Sequence, residues 1–295
     1  MGPLLLLLTT FIWGTAFLAQ KIGGEAIGPF AMTAYRNILG AFFLLGVIAF
    51  RKFSGKSSSD GLMRSSVIAG VFCGLPLAAA MATQQIGIGY TTPGISAFLT
   101  TNYVLFVPLL FAALTRQLPR WYVIVGAFLA LCGTYFICLG GGEETVALGI
   151  GRGEAWTLLC ALLFSVQMLV VDHFAKRCDL LVMSAVQLAT AAVVTFPFVF
   201  TPEETALLGP GLLPPLKAIW PLVYCGVFSS GIAYTLQNYG QARTSAGLAA
   251  ILLSLESVFG ALSGYVVLGD RMSAVQFSGC ALVLAAVIFT QTAKK

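Results

Sequence analysis

Charge is scarce in this sequence: of its 295 residues only 9% are Asp, Glu, Lys or Arg, against about 25% in an ordinary soluble domain. So little charge cannot cover a surface that faces only water, and 58% of the chain is hydrophobic, with a mean hydropathy of +0.93. Catalytic side chains are equally sparse. There is one histidine and no HExxH, GxSxG or phosphate-loop pattern, so metal-assisted hydrolysis, serine-type acyl transfer and nucleotide hydrolysis have no residues to carry them. The seven cysteines, Cys73, Cys132, Cys138, Cys160, Cys178, Cys225 and Cys280, show no CxxC spacing. An odd number without ligand spacing excludes a disulfide framework and a zinc site, and reads as small apolar packing residues. Neither an enzyme nor a cofactor is expected. The formal charge of +5 is scattered among loops rather than gathered in a stripe, which argues against a nucleic-acid partner.

What the chain does contain is long apolar runs. About 18 or more such residues are needed to cross a bilayer core roughly 30 Å thick. Ten runs qualify: Pro3–Gln20, Pro29–Phe50, Ser65–Ile86, Thr92–Leu114, Trp121–Leu139, Arg152–Phe174, Leu181–Phe200, Ala218–Tyr239, Thr244–Leu268 and Ser273–Gln291. Backbone groups in lipid must bond within their own segment, so continuous runs of this length predict helices. The alternation of about ten residues per strand that marks a membrane barrel does not occur. Met1, Gly2 and Pro3 supply no basic stretch ahead of the first run, which therefore reads as a retained span rather than a cleaved signal.

Basic residues gather in cytoplasmic loops. Alternate loops divide into one set holding Arg51, Lys52, Lys56, Arg64, Arg116, Arg120, Lys176, Arg177, Arg243, Lys294 and Lys295, and another holding Lys21, Arg152, Lys217 and Arg271. Eleven against four predicts that both termini are cytoplasmic. The second set also collects the acids Glu25, Glu143, Glu144, Glu154, Glu203, Glu204 and Asp270.

The sequence also resembles itself. A shift of 153 residues lays Thr91-Thr92-Pro93-Gly94 on Thr244-Ser245-Ala246-Gly247, and pairs Ala80 with Ala233, Gln84 with Gln237, Gly87 with Gly240, Phe106 with Phe259 and Gly126 with Gly279. With five spans per copy, the second copy enters the membrane from the opposite side. The expected fold is all-α and integral to the membrane, with ten helices arranged as two inverted five-helix repeats around a central cavity. The first repeat is taken as residues 1–145 and the second as 146–295. Gly140–Gly151 is the expected hinge between them, Ser54–Asp60 a flexible loop, and no loop is long enough for a soluble domain.

Ionisable groups at membrane depth are costly and usually functional. Arg36 and Glu256 stand clearly inside spans, whereas Lys21, Asp172 and His173 sit at span ends and are expected to snorkel. Glu256 lies twelve residues into its span, about 18 Å deep at 1.5 Å per residue, and its repeat partner is Tyr103. It reads equally as a substrate-facing or proton-exchanging carboxyl and as a structural glutamate. Arg36, about 10 Å deep, is expected to play mainly a structural part, with Glu256 or a substrate carboxylate within reach.

The other intramembrane polar residues concentrate on the first, third, fourth, sixth, eighth and ninth spans: Trp13, Gln84, Gln85, Asn102, Tyr103, Gln167, Tyr234, Gln237, Asn238 and Ser254. These six helices are expected to enclose the cavity, with the second, fifth, seventh and tenth outside. Trp13 and Phe164 fall at comparable depth and offer an aromatic face, core packing being the plainer alternative. The substrate set is therefore Trp13, Asn102, Tyr103, Phe164, Gln167, Tyr234 and Glu256, and Gln84 and Gln237 are expected to close the two ends as gates.

Taken together, the Trp13-Gly14 pair in an apolar first helix, Tyr35-Arg36-Asn37 in the second, and the stretch Thr244-Ser245-Ala246-Gly247 through Leu255-Glu256-Ser257-Val258-Phe259 to Leu268-Gly269-Asp270-Arg271 resemble the drug/metabolite transporter superfamily. The branch they resemble is that of EamA-type, ten-helix bacterial permeases, and the resemblance spans the whole chain. It implies a basket of helices in the bacterial inner membrane moving small organic solutes, with amino-acid export as the leading expectation. Uptake of a vitamin or nucleobase-like solute, or a receptor or scaffold without transport, are the alternatives. Many members read Glu-Pro where this chain has Glu256-Ser257, which puts a helix kink there in doubt.

Overall fold

The computed structural model describes residues 1–55, 60–139, 151–208, 210–263, 265–266 and 272–293. Outside these lie the expected hinge up to residue 150, Lys56, the Leu268-Gly269-Asp270-Arg271 end of the family stretch, and Lys294 and Lys295. Among the described residues there are ten helices long and apolar enough to cross a membrane: α1 (Gly2–Ile27), α2 (Pro29–Phe53), α3 (Gly61–Tyr90), α4 (Pro93–Thr115), α5 (Trp121–Cys138), α6 (Arg152–Arg177), α7 (Leu180–Phe200), α8 (Leu216–Gln241), α9 (Ala246–Ser263) and α10 (Ala274–Ala293). No strand occurs among these residues.

Each helix coincides with one expected run, and several continue past it. Lys21, Asp172 and His173 accordingly fall within the last two turns of α1 and α6 rather than beyond them. The surface is inverted relative to a soluble protein. Phe42, Leu109 and Ile288 are 69%, 64% and 56% exposed, while Asn37, Gln187 and Asn238 are fully buried. Only a lipid surround makes that distribution favourable, because water would leave the outer apolar side chains unburied.

The packing has two-fold symmetry. α5 lies against α10 and α2 against α7, so in each pair a helix meets its own repeat counterpart, as helices flanking a two-fold axis must. The other principal contacts come in matched pairs: α3 with α6 and α8 with α1, α3 with α7 and α8 with α2, α4 with α6 and α9 with α1. Close approaches repeat likewise. A Cβ on Gly74 would stand 2.7 Å from the Gln187 carbonyl oxygen, and one on Gly226 would stand 3.1 Å from that of Arg36. Gly87 meets Gly153 at the start of α6, and Gly240 meets Gly2 at the start of α1. With five spans per half, the axis runs in the membrane plane.

Candidate functional site

Two membrane helices are broken at matched positions, and the breaks build the site. The fourth span stops at Thr100 and resumes at Tyr103. The ninth stops at Leu253 and resumes at Leu255. Neither break contains proline. The Thr101 hydroxyl donates to the Ala97 carbonyl at 2.7 Å, and the Asn102 amide donates to the Leu99 carbonyl at 2.9 Å. In the ninth span the Ser254 hydroxyl donates to Ile251 O at 2.7 Å and the Ser257 hydroxyl to Ser254 O at 2.8 Å. Such bonds to the preceding turn draw carbonyls away from the helix ladder and bend it. The ninth span is therefore interrupted without proline, at Ser254, with hydroxyls on both sides of position 255 bonded to the preceding turn.

Tyr103 and Glu256 sit immediately after these breaks, 153 residues apart, and the Tyr103 hydroxyl donates to Glu256 Oε1 at 3.0 Å. Each is 3% exposed. Repeat partners in direct contact mark the two-fold axis, and the central cavity opens around this pair. It is a narrow cleft, with about 420 Å³ of atom-free space once its open mouth is included. Trp13, Phe17 and Gln20 of α1, Gln84 of α3, Thr100 and Tyr103 of α4, Phe164 and Met168 of α6, Ser229, Tyr234 and Gln237 of α8, and Leu253 and Glu256 of α9 line it, together with Arg36 of α2. The six expected helices contribute every lining residue except Arg36, and α5, α7 and α10 contribute none.

Arg36 is the one lining cation. Its Nη1 donates to Gln20 Oε1 at 2.7 Å, its Nε to Ser230 Oγ at 3.1 Å and its Nη2 to Ser229 Oγ at 3.2 Å. All three partners are neutral, and among the described residues the ion pairs are Lys21–Glu25 and Arg51–Asp179. Arg36 thus does not pair with Glu256, and the cavity wall carries one guanidinium and one carboxyl that do not meet. Ser229 and Ser230 reach Arg36 from a π-helical stretch of α8, Tyr224–Ile232, whose wider turn re-aims side chains. The Trp13 indole donates to the Ser229 carbonyl at 3.0 Å, and its ring lies 4.9 Å from that of Tyr234.

The amide ledger around Gln237 is unequal. Gln241 Nε2 donates to the Met168 carbonyl at 3.0 Å, which turns its Oε1 toward Gln237, and Gln237 Nε2 donates to that oxygen at 2.9 Å and to Gln167 Oε1 at 3.3 Å. Gln237 Oε1 is left buried without a donor. Gln84 instead donates to Thr100 Oγ1 at 3.3 Å.

Of the expected substrate set, Trp13, Tyr103, Phe164, Tyr234 and Glu256 line the cavity, and so do Gln84, Gln237 and Arg36. Two residues do not. The Asn102 side chain folds back on its own helix at the break, and Gln167 lies behind Gln237 as its acceptor. Asn238, also grouped with the polar helices, instead joins α8 to α7 by donating to Ser184 Oγ at 2.9 Å and Gln187 Oε1 at 3.1 Å. Phe17, Gln20, Thr100, Met168, Ser229 and Leu253 were not singled out from sequence. Most follow from helical spacing around residues that were: Phe17 and Gln20 lie four and seven after Trp13, Met168 four after Phe164, Thr100 three before Tyr103 and Leu253 three before Glu256. Ser229 carries no such signal.

One end of the basket is tied by polar contacts. Lys21 Nζ donates to the Ile88, Gly89 and Thr91 carbonyls at 2.9, 3.4 and 3.3 Å, securing α1 to the end of α3. Glu204 accepts from the Phe30 and Ala31 amides at 3.0 and 2.9 Å, capping α2.

The profile of the EamA-like transporter family matches residues 1–139 and 151–292. An uncharacterized transporter of Archaeoglobus fulgidus is 28% identical over 96% of this chain and 83% of its own length. A Streptantibioticus cattleyicolor protein named a probable terminal-alkyne amino-acid exporter is 24% identical over 96% of this chain and 91% of its own. A solved crystal structure superposes with a TM-score of 0.78 at 20% identity, covering 99% of this chain and 96% of that one. It speaks for the fold alone.

Proposed function

Because the chain belongs to the EamA-like transporter family, we propose that it moves small zwitterionic metabolites by alternating access, foremost amino acids with apolar or aromatic side chains. The observation that supports this is the composition of the central cavity. Arg36 faces it as a cation with neutral partners only, Glu256 as a carboxyl held by Tyr103, and Trp13, Phe17, Phe164 and Tyr234 supply apolar ring surface. A carboxylate is recognised by a guanidinium, an ammonium by a carboxylate, and a ring by other rings. The halves, 1–145 and 146–295, rock about the axis through Tyr103 and Glu256, and Gln84 and Gln237 close the cavity at either end. Export is the favoured direction, in keeping with the exporter named among the relatives. The inner membrane of a bacterial cell, with both termini cytoplasmic, is the placement that the eleven-to-four division of basic residues supports.

Purified protein in liposomes loaded with a panel of amino acids, vitamins and nucleobases tests the reading. Efflux or counterflow of zwitterionic apolar amino acids is the expected result. Movement of vitamins or nucleobases alone would overturn the substrate class, and movement of no solute would overturn transport itself.

A further inference from the structure

The Arg36 guanidinium fixes the orientation of an amide beside it. A guanidinium donates and never accepts, so the Gln20 atom that Arg36 Nη1 meets at 2.7 Å is the oxygen, and Gln20 Nε2 is turned away. The partner's chemistry makes that assignment, which the shape of a glutamine side chain alone does not. The backbone of Gln20 is held too. Its carbonyl accepts from Gln85 Nε2 at 2.8 Å, and glycine at position 24 leaves room for that crossing, because a Cβ there would stand 2.4 Å from the same nitrogen.

Gln20 is 4% exposed and lines the axial cavity. Among the described residues its Nε2 has no acceptor, yet it is not enclosed as the unpartnered Gln167 Nε2 is, so it opens on the cavity. The other amide nitrogens of the wall are engaged, Gln84 Nε2 with Thr100 and Gln237 Nε2 with Gln241 and Gln167. Arg36 gives one donor each to Gln20, Ser229 and Ser230, which leaves one on each terminal nitrogen. The repeat equivalents of Gln20 and Arg36 are His173 and Ala189, and neither lines the cavity. Unspent donors therefore gather in one part of the wall, on two side chains whose mutual bond sets them next to each other.

We propose that Gln20 determines specificity for a carboxylate: its Nε2 binds one oxygen of the group while the remaining donors of Arg36 bind the other, and its own oxygen keeps the guanidinium in place. This rests on the reading of the axial cavity as the substrate site, and adds to it a second, neutral donor that tells a carboxylate from its amide. A carboxylate offers acceptors to both partners, whereas a carboxamide must turn a donor toward one of them and leave that contact unmade. A glutamate at this position would keep an acceptor for Arg36 but turn the donor into a second acceptor, which suits the carboxamide.

The test uses the full chain in nanodiscs, titrated calorimetrically with 3-phenylpropionate and with 3-phenylpropanamide, two ligands of one shape that differ in this group alone. Saturable binding of the carboxylate, tighter than that of the amide, is expected of the parent. Gln20→Glu should weaken 3-phenylpropionate at least about tenfold, the scale of a lost hydrogen bond to a charged group, and should tighten 3-phenylpropanamide several-fold. The gain is the decisive readout, since neutralising Arg36 would by itself weaken the anion without improving a neutral amide. Gln20→Met should weaken the carboxylate several-fold and bring no gain for the amide, and thermal melting of each variant confirms that it is folded. The proposal is overturned if the parent binds the carboxylate no better than the amide, if Gln20→Glu binds the amide no better than the parent does, or if folded Gln20→Met binds the carboxylate like the parent. Failure of the substrate reading looks different: the switch between the two ligands would be seen while liposomes moved no zwitterionic amino acid.

Discussion

Replacing Glu256 by glutamine separates a glutamate that meets substrate from one that merely joins α9 to α4. The Tyr103 hydroxyl reaches Glu256 Oε1 at 3.0 Å, with both residues 3% exposed. Glutamine retains an acceptor at that position, so Glu256→Gln keeps the bond from Tyr103 and costs at most about 1 kcal/mol. Tyr103→Phe removes the donor and strands the acceptor, at about 1–3 kcal/mol. If the pair is structural, Tyr103→Phe is the more damaging change, and transport per folded molecule survives in both variants. If the carboxyl receives an ammonium, Glu256→Gln forfeits about 1.5–3 kcal/mol of substrate interaction, a fall of roughly 10- to 150-fold in transport kcat/KM, at nearly unchanged stability. Transport in liposomes, normalised to folded protein and run alongside thermal melting, reads both quantities. A Glu256→Gln variant that melts with the parent and transports like it at every pH tested would refute the functional role.

The remaining expectations concern polar closure, packing and topology. Gln84→Ala and Gln237→Ala should each make the cavity more accessible to a small thiol reagent from one side only, and unchanged access and transport in both would count against the gates. Gly74→Val and Gly226→Val should destabilise by about 1–3 kcal/mol each through overpacking at matched helix contacts, measured by thermal melting. A cysteine introduced at Gly55, between α2 and α3, should react with impermeant maleimide only in opened cells, and labelling of intact cells would reverse the orientation.

The ten spans were legible because lipid imposes one requirement on every residue facing it, and runs such as Trp121–Leu139 meet that requirement without interruption. Contact between Tyr103 and Glu256 was half legible. The shift of 153 residues made them partners, but only the coordinates place the axis between them. The helix breaks were illegible, because Thr101 and Ser254 look like ordinary small polar residues until their hydroxyls are seen to bond the previous turn. Asn102 and Gln167 were misplaced for a related reason: a break rotates the face that its flanking residues present, and a polar side chain behind the wall has the same spacing as one on it. The part played by Ser229 depends on π-helical winding, which leaves no mark in residue spacing.

A residue on a two-fold axis is the one place where a duplicated chain must face itself. Gly87 and Gly240 remain identical because each does the same job in a different place, against a different helix start. Tyr103 and Glu256 have no such freedom. Two glutamates there would set two carboxyl groups side by side, and two tyrosines would leave the centre with no carboxyl at all. Difference between the copies is favoured at this point above others, since a donor beside an acceptor makes one bond that neither residue makes with its own kind. The seam of the molecule, where its halves have parted company in sequence, is therefore also where its chemistry is concentrated.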